Sequence, residues 1–149
     1  MKRLLKLCPQ GKVYGMDLSE ESVAFARRHN AGELDRRCFI QQGDVCSLPY
    51  GDGAFDAVTA FETVYFWSSV SKALAEVFRV IRKGGCFLIS LEASDPELGK
   101  AWTERIKGMT VYGAEELKQL LSQAGFSDIR VIQKKKNCIS SHINERSGT

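Results

Sequence analysis

Residues 11–19 have the sequence GKVYGMDLS, in which a short apolar run ends at an aspartate and is followed by a helix-start signal. The apolar part predicts a strand over residues 12–17. Ser19 and the two glutamates after it suit the first turn of a helix, because a serine oxygen accepts from free backbone N–H groups and carboxylates favour the positive end of the helix dipole. We therefore expect a helix over residues 20–30, with Gly32 beyond it.

The rest of the chain repeats this alternation of short apolar runs with segments of helical period. We expect further helices near residues 70–81 and 117–124 and further strands near residues 38–42, 55–61, 86–91 and 129–132. The strand at 55–61 is apolar on both faces, as a central parallel strand should be. Gly84 and Gly85 predict the end of the helix before them, and Gly125 ends the last helix with Phe126 packed back on it. Alternating strands and helices predict an α/β fold with a doubly wound, mostly parallel sheet.

The composition of the 149-residue chain is that of one ordinary globular domain, with 44% hydrophobic and 26% charged residues. The formal net charge is only +3 and the basic residues are scattered, so we expect no nucleic-acid partner. The cysteines lack metal-binding spacing, which favours reduced thiols; they are Cys8, Cys38, Cys46, Cys86 and Cys138. Since there is also no secretory signal or long apolar run, we expect a cytoplasmic protein without a metal or a membrane partner.

Two predicted strands end in carboxylates that could hold a ligand, since ligands of open α/β sheets bind beyond the carboxyl ends of the strands. Asp17 could accept both hydrogen bonds of a ribose diol, or it could cap the next helix. Asp44 could accept a hydrogen bond from an exocyclic amine, with Val45 offering a backbone N–H and an apolar flank, or it could initiate a turn. The residues by themselves leave these alternatives open.

Four aromatic residues lie within residues 61–67, between a buried strand and a helix. Some of them should line the mouth of a crevice, whereas core packing would explain all of them equally well. We expect Phe61 or Phe66 to be in the core, and Tyr65 and Trp67 to lie beside a ligand.

Four motifs, in the same order and spacing, resemble those of the class I S-adenosylmethionine-dependent methyltransferases. They are GKVYGMDLS at 11–19, GDV with LPY at 43–50, FDAV at 55–58 and VIRKGG at 80–85. The resemblance covers the chain from about residue 4 to about residue 133. It implies a Rossmann-like methyltransferase fold with S-adenosyl-L-methionine as cofactor. It also implies that the cofactor is bound by Met16, Asp17, Leu18, Asp44, Val45, Phe61 and Glu62.

The resemblance implies a role for each of these positions. Asp17 holds the ribose hydroxyls, and its two neighbours border the adenine. Residues 44–45 fix the amino group and the ring of the adenine, and residues 61–62 form the floor of the methionine end. The implied reaction is methyl transfer to a small-molecule acceptor by in-line displacement, in which positioning supplies much of the rate.

A general base is needed only where the acceptor must lose a proton, and no catalytic residue is assigned. Glu62 and Tyr65 are candidates for such a base. His29 is discarded because the pattern places it at the end of a helix, away from the strand ends. We expect the acceptor pocket to contain Tyr65, Trp67 and Tyr112. Tyr112 belongs to a segment that either covers this pocket or is an ordinary surface connection.

The chain departs from the family pattern before Asp17. The glycine-rich loop of the family should precede the acidic residue by about twenty residues, and only sixteen residues precede Asp17. We therefore expect one incomplete domain over residues 1–149, without the first strand and the glycine-rich loop. Residues 1–8 would be the tail of the helix after that loop, and residues 134–149 an irregular tail. Two uncovered sheet edges would favour self-association or a partner chain.

Two alternatives to an active methyltransferase are open at this point. An inactive remnant or binding module with the same fold would not bind the cofactor by itself. A nucleotide-binding oxidoreductase also carries an acid after its second strand, but the GDV motif and the aromatic cluster fit that class poorly.

Overall fold

The structure is a computed structural model and describes residues 1–133 and 140–145. The helices are α1 (Lys2–Leu7), α2 (Glu20–His29), α3 (Val70–Val80), α4 (Pro96–Arg105) and α5 (Ala114–Gln123), with 3-10 turns at Ala31–Glu33 and Val64–Phe66. The strands are β1 (Val13–Asp17), β2 (Cys38–Gln42), β3 (Phe55–Phe61), β4 (Ile81–Leu91), β5 (Ser127–Gln133) and β6 (Ser140–Glu145). The chain divides into two compact units, Met1–Ser47 and Leu48–Thr149. A single domain over residues 1–149 stays a prediction.

The first unit is built on a parallel pair of strands. β1 pairs with β2 in continuous register, from Val13 opposite Cys38 to Asp17 opposite Gln42. Helix α2 begins after Ser19, whose hydroxyl accepts a hydrogen bond from the first turn, as the sequence predicts. The apolar core of this unit consists of Leu5, Val13, Cys38 and Ile40, with Met1, Leu4, Val23, Ala26 and Leu34 packed against it.

Arg37 fastens helix α1 to the start of β2. Its guanidinium donates hydrogen bonds to the backbone oxygens of Leu5 at 3.0 Å, Cys8 at 2.7 Å and Gly11 at 3.2 Å. These oxygens belong to the end of α1 and the turn after it, where no helical N–H is in place to satisfy them. One side chain therefore holds the predicted helix at the start of the chain against the sheet of the first unit.

The second unit contains a four-stranded sheet in the order β3-β4-β6-β5. β3 runs parallel to β4, and β6 runs antiparallel to both β4 and β5. The predicted α/β class is confirmed. The side chains buried from α3, β4 and α5 include Leu74, Val77, Val80, Phe87, Ile89, Leu91, Leu117 and Leu121. Within residues 1–133 and 140–145, no helix has both the length and the apolar character needed to cross a membrane.

The prediction of an irregular tail over residues 134–149 is wrong for residues 140–145, which form β6. The sequence SSHINE is mostly polar and lacks the apolar alternation that predicts a strand. Pairing on both edges compensates for the missing apolar pattern. Ile143, for example, lies opposite Leu88 of β4 on one edge and Arg130 of β5 on the other. A strand that is hydrogen-bonded on both edges satisfies its backbone groups whatever its side chains. Residues 134–139 and 146–149 of the predicted tail lie outside the described residues.

The double glycine lies inside β4 and does not end helix α3, contrary to the prediction. β4 follows α3 directly, and its register against β3 shifts between Phe55 and Ala57. Gly84 has a φ of 71°, which favours glycine. A Cβ on Gly85 would lie 2.8 Å from the backbone oxygen of Asp56. The two glycines therefore permit an irregularity within the strand, where extra residues must be accommodated.

Strand β3 differs from the buried central strand that its sequence predicts. Among the described strands it pairs with β4 alone, and β1 likewise pairs with β2 alone. Only Ala60 of the seven residues of β3 is buried. The apolar sequence FDAVTAF therefore lies on a strand with one edge unpaired by any described strand, which explains its exposure.

The end of α5 forms as predicted from its glycine. Gly125 has a φ of 103°. Its N–H donates to the oxygen of Ser122 at 3.0 Å, and the N–H of Phe126 donates to the oxygen of Leu121 at 3.1 Å. This pair of bonds satisfies the last carbonyls of the helix, as in a Schellman motif. The Phe126 ring packs edge-on against Phe78 of α3, with 5.1 Å between centroids.

Candidate functional site

Asp17 orders the loop that follows β1. Its Oδ1 accepts a hydrogen bond from the N–H of Ser19 at 2.9 Å. Ser19 and not Asp17 caps helix α2, so the capping alternative for Asp17 is wrong. Asp17 is exposed, and within residues 1–133 and 140–145 its Oδ2 accepts no hydrogen bond. One carboxylate oxygen thus holds the loop while the other is available to a ligand.

Asp44 has the same arrangement after β2. Its Oδ1 accepts a hydrogen bond from the N–H of Cys46 at 2.8 Å, and its backbone oxygen accepts one from Ser47 at 3.0 Å. The turn predicted as one alternative is therefore present. It engages one carboxylate oxygen only, and in the described part of the chain Oδ2 has no hydrogen-bond partner. Since the side chain is exposed and Val45 is half-buried, the turn leaves the ligand-binding alternative in place.

The two loops are joined to each other at the carboxyl ends of adjacent parallel strands. The N–H of Gly43 donates to the backbone oxygen of Asp17 at 3.1 Å, and the Gln42 amide donates to the oxygen of Leu18 at 2.9 Å. A Cβ on Gly43 would lie 2.8 Å from Sδ of Met16. The predicted cofactor residues of the first unit, 16–18 and 44–45, therefore lie on one connected surface, with Leu18 69% exposed on it.

Glu62 directly follows β3 with an unusual backbone. Its φ is 55°, in the left-handed region that few residues other than glycine adopt. Its N–H donates to the oxygen of Ser90 in β4 at 3.0 Å. Such backbone strain persists where the surroundings hold it in place, and it is often found at functional sites.

Tyr65 is 4% exposed and sits between three segments of the second unit. Its hydroxyl accepts a hydrogen bond from the N–H of Ala93 at 2.8 Å, and its backbone oxygen accepts one from Thr110 at 2.9 Å. Burial raises the pKa of Tyr65 to about 12, and the neighbouring Glu62 carboxylate adds to the rise. The phenol therefore keeps its proton near neutral pH, which argues against Tyr65 as a general base.

The prediction that Phe61 or Phe66 lies in the core is wrong, and the prediction that Tyr65 lies beside a ligand stays a prediction. Phe61 and Phe66, of which one was expected in the core, are 51% and 52% exposed, whereas Tyr65 is buried. The cause is the 3-10 turn Val64–Phe66, in which successive side chains point about 120° apart. Val64 and Tyr65 are buried in this turn and Phe66 is left outside. Trp67 is partly exposed, so it stays a candidate for the acceptor pocket.

Tyr112 lies half-buried just before α5. Burial is the main cause that raises its pKa, and the charge of Glu116 adds to it. The segment before it contains helix α4. For this segment the sequence leaves two alternatives open, a cover of the acceptor pocket and an ordinary surface connection. Gly99 of α4 approaches Val111 so closely that a Cβ would lie 2.8 Å from its side chain. His29 is the last, exposed residue of α2, as predicted.

Arg79 of α3 holds the loop that carries the LPY motif, a role that no sequence pattern indicates. Its guanidinium donates to the backbone oxygens of Leu48 at 3.0 Å and Tyr50 at 2.7 Å, and it pairs with Asp52 at 2.9 Å. Glu76 completes the cluster, since it bonds Arg79 and accepts from the N–H of Leu48 at 2.8 Å. The cluster therefore fixes the loop between the end of β2 and β3.

The structure thus gathers the predicted site residues into two groups, one in each unit. In the first unit, residues 16–18 and 44–45 share one surface. In the second unit, the charge of Glu62 contributes to the raised pKa of Tyr65, and Thr110 joins Tyr65 to the segment that ends at Tyr112. The partners of Glu62 and Tyr65 contribute backbone groups, which leave no signal in the sequence.

Comparison with known proteins identifies related sequences. The family model described as a methyltransferase domain matches residues 1–89, more than half of the 149-residue chain. A demethylmenaquinone methyltransferase of Symbiobacterium thermophilum is 37% identical over 92 residues, which are 61% of this chain and 36% of that protein. A ubiquinone/menaquinone biosynthesis C-methyltransferase of Dinoroseobacter shibae is 36% identical over 104 residues, 67% of this chain and 41% of that protein. The chain thus spans about two fifths of the length of these relatives.

The fold is similar to that of solved methyltransferases. The crystal structure of an S-adenosylmethionine-dependent methyltransferase from Thermotoga maritima superposes with a TM-score of 0.78 at 21% identity, covering 98% of this chain and 77% of that one. The likeness confirms the predicted Rossmann-like methyltransferase fold. Together with the family match it assigns the chain to this class and not to the nucleotide-binding oxidoreductases. The chain belongs to the class I S-adenosylmethionine-dependent methyltransferase family.

Proposed function

We propose that this chain binds S-adenosyl-L-methionine and acts in methyl transfer to a small-molecule acceptor. The observation that carries the proposal is the divided use of Asp17. One carboxylate oxygen orders the loop after β1, and the other has no hydrogen-bond partner among the described residues. An exposed, ordered acceptor at the carboxyl end of a parallel strand fits a ribose diol, because an ionised carboxylate is the strongest acceptor available to two hydroxyls.

The adenine part of the cofactor fits the other residues of the same surface. Asp44 offers a second carboxylate oxygen to an exocyclic amine, and Val45 offers a backbone N–H with an apolar flank. Met16 and Leu18 would border the ring with apolar surface. The hydrogen bond between Asp17 and Gly43 keeps the two carboxylate loops at a constant spacing, so that both can engage one adenosine.

We propose Phe61 and Glu62 for the methionine part of the cofactor and Trp67 and Tyr112 for the acceptor pocket. Phe61 is half exposed, so its ring has free surface for an apolar part of a ligand. It also directly precedes Glu62 in the chain. Tyr65 is not proposed as a pocket residue, because its ring is buried and its hydroxyl is already bonded within the protein.

When bound, the cofactor supplies a methyl group on a sulfonium sulfur. The methyl group goes to the acceptor, and the rest of the cofactor is the leaving group, a neutral thioether. In the proposed in-line displacement, the residues of this chain bind and orient, and positioning alone supplies a large part of the rate. We propose that Asp17 and Asp44 fix the adenosine and that Glu62 accepts hydrogen bonds from the cofactor. We assign no base, since Tyr65 holds its proton and Glu62 serves the cofactor.

The small-molecule acceptor is proposed from the names of the relatives. They are named for demethylmenaquinone and for ubiquinone and menaquinone biosynthesis. The alternative hypothesis is an inactive remnant or binding module with the methyltransferase fold that does not bind the cofactor by itself. Cofactor binding by the isolated chain separates the two hypotheses. The cytoplasmic location stays a prediction.

The experiment is calorimetric titration of the folded chain with S-adenosylhomocysteine, using two substitutions at one position. Asp17→Asn keeps an oxygen for the Ser19 N–H but removes the charge and the second acceptor. Asp17→Ala removes both. We expect Asp17→Asn to lose about tenfold to a hundredfold in affinity, the range for hydrogen bonds to a charged group. Asp95→Asn is the matched control, because Asp95 makes the same kind of turn bond, to the N–H of Glu97 at 3.0 Å. Unchanged affinity in both Asp17 variants would refute the ribose site.

A further inference from the structure

The peptide group between Leu18 and Ser19 is held at both of its polar atoms. Its oxygen, which belongs to Leu18, accepts a hydrogen bond from the side-chain amide of Gln42 at 2.9 Å. Its N–H, which belongs to Ser19, donates to Oδ1 of Asp17 at 2.9 Å. The C=O and the N–H of a trans peptide point in opposite directions. The Gln42 amide and the Asp17 carboxylate therefore bind one peptide group from opposite sides.

The side chain of Gln42 extends the hydrogen-bond ladder of the parallel pair beyond its last residues. The pairing of β1 with β2 ends at Asp17 opposite Gln42, and the N–H of Gly43 makes the next bond, to the backbone oxygen of Asp17 at 3.1 Å. The chain then turns at Asp44, which accepts hydrogen bonds from two N–H groups of the turn. Because the backbone turns there, the next oxygen of the loop after β1, that of Leu18, accepts from the Gln42 side chain.

Helix α2 and side-chain packing contribute little to holding this peptide group. The first oxygen that accepts a helical bond in α2 is that of Ser19, which accepts from Val23 at 3.0 Å. The oxygen of Leu18 therefore lies outside the helical bonds, and the Leu18 side chain is 69% exposed. The direction of the peptide group thus depends on its two side-chain partners, Gln42 and Asp17.

The rotation of this peptide group determines where the Asp17 carboxylate points. Because the peptide is planar, a bond that fixes its oxygen also fixes the direction of its N–H. That N–H binds Oδ1 of Asp17, so it sets the rotation of the carboxylate and the direction of Oδ2, the oxygen proposed for the ribose. A hydrogen bond to the peptide oxygen also polarises the group and strengthens the bond that its N–H makes.

We propose that Gln42 is a positioning residue, which orients the Asp17 carboxylate towards the ribose of the cofactor through the peptide group between Leu18 and Ser19. The inference rests on the proposed function, because it concerns the same carboxylate. It gives a role to a residue that the sequence marks only as the end of a strand. Its consequence is that Gln42 affects cofactor affinity only while Asp17 is present.

The first test is a double-mutant cycle on S-adenosylhomocysteine affinity, measured by calorimetry. Gln42→Met keeps the length of the side chain and removes its donor, and Asp17→Ala removes the carboxylate. We expect Gln42→Met to bind about threefold to tenfold more weakly, the range for one neutral hydrogen bond. In the Asp17→Ala background the same substitution should cost less than about twofold, because no carboxylate is left to orient.

Gln119→Met is the matched control, since Gln119 is an exposed glutamine of α5 in the second unit. This variant should bind S-adenosylhomocysteine as tightly as the unsubstituted chain. Full affinity in Gln42→Met would overturn the proposal. An equal loss with and without the Asp17 carboxylate would also overturn it, because Gln42 would then act independently of that carboxylate.

The second test needs no cofactor and separates this inference from the proposed function. Amide hydrogen exchange of Ser19, measured by NMR, should be at least about threefold faster in Gln42→Met, because the peptide group loses one of its two partners. Cys46 is the matched control amide, since it makes the same kind of bond, to Oδ1 of Asp44 at 2.8 Å. Equal exchange of Ser19 in both proteins, or equal acceleration at Cys46, would contradict the positioning role. If the unsubstituted chain binds no S-adenosylhomocysteine, the proposed function fails while this test still decides whether Gln42 holds the peptide group.

Discussion

The backbone oxygen of Asp17 accepts a hydrogen bond from the N–H of Gly43 at 3.1 Å, so the loop after β1 is fastened to the loop after β2. Gly43 also packs closely, since a Cβ would lie 2.8 Å from Sδ of Met16. Gly43→Ala should therefore displace Met16, which we propose to border the adenine. Because Met16 is a flexible side chain, we expect a stability loss below about 1 kcal/mol and about a threefold to tenfold loss of S-adenosylhomocysteine affinity.

Gly51→Ala is the control for this substitution. A Cβ on Gly51 meets no atom within 4 Å, so both stability and affinity should stay unchanged. Urea denaturation and calorimetric titration measure the two quantities. A Gly43→Ala variant with full affinity would contradict the assignment of Met16 to the adenine border.

Two substitutions at Asp44 should have different effects on stability. Asp44→Asn keeps an oxygen for the Cys46 N–H, so the turn survives and the free energy of unfolding should change little. Asp44→Ala removes the turn bond and should cost about 1 kcal/mol. Both should weaken S-adenosylhomocysteine binding, because both remove the carboxylate oxygen proposed for the adenine amine. Retained affinity in Asp44→Asn would leave Asp44 as a turn residue only.

The end of α5 should tolerate no side chain at Gly125. Its φ of 103° is strained for any other residue, and a Cβ would lie 2.9 Å from the ring of Phe78. We expect Gly125→Ala to lower the free energy of unfolding by about 1–3 kcal/mol, the cost of such a backbone conformation. Thermal and urea denaturation measure it, and Gly32→Ala, where a Cβ meets nothing within 4 Å, is the control. A neutral Gly125→Ala would show that the helix end does not require glycine.

Glu76 should make the second unit sensitive to acid. The hydrogen bond from Arg79 lowers the pKa of Glu76 from 4.5 to about 2. A carboxyl with a lower pKa in the folded state binds its proton more readily when unfolded. The contribution of Glu76 to the free energy of unfolding is therefore present above about pH 4.5 and is lost as the pH falls towards 2.

The measurement is urea denaturation between pH 2 and pH 7. We expect the free energy of unfolding of the unsubstituted chain to fall across this window. Glu76→Gln should be less stable at pH 7 and should show a smaller fall, because the titrating group is gone. The same pH slope in both proteins would contradict the role given to the pair of Glu76 and Arg79.

The unpaired edge of β3 should promote self-association. The strand is apolar over most of its length, and among the described strands it pairs only with β4. Charged side chains, lysine above all, are how natural proteins protect such edges. Ala57 is exposed on β3, so Ala57→Lys should shift the chain towards the monomer in sedimentation velocity runs at increasing concentration. A monomer at all concentrations without the substitution would contradict the expectation.

Local sequence signals were enough to predict several elements to the residue. β2 over 38–42 and β3 over 55–61 lie where the sequence predicts them, because each is an apolar run bounded by polar and glycine-containing turns. The start of α2 at Ser19 and the end of α5 at Gly125 follow from capping chemistry that depends on neighbours only. The carboxylates of Asp17 and Asp44, which we propose to bind the cofactor, could be singled out because they follow predicted strands.

The remaining features depend on contacts between distant residues. β6 is a strand because β4 and β5 pair with both of its edges, which its polar sequence does not indicate. The burial of Tyr65 in place of Phe61 follows from a 3-10 turn and from bonds to backbone groups. Gly85 is required by a close approach to a neighbouring strand and not by the helix before it.

The most direct test of the central claim is calorimetric titration of the folded 149-residue chain with S-adenosylhomocysteine and with S-inosylhomocysteine, which lacks the adenine amine. We predict binding of S-adenosylhomocysteine with a dissociation constant in the micromolar range. Binding of S-inosylhomocysteine should be about tenfold weaker, because Asp44 loses a donor. Absence of binding by a chain shown to be folded would contradict the account, and it would leave the methyltransferase family as ancestry without a cofactor site.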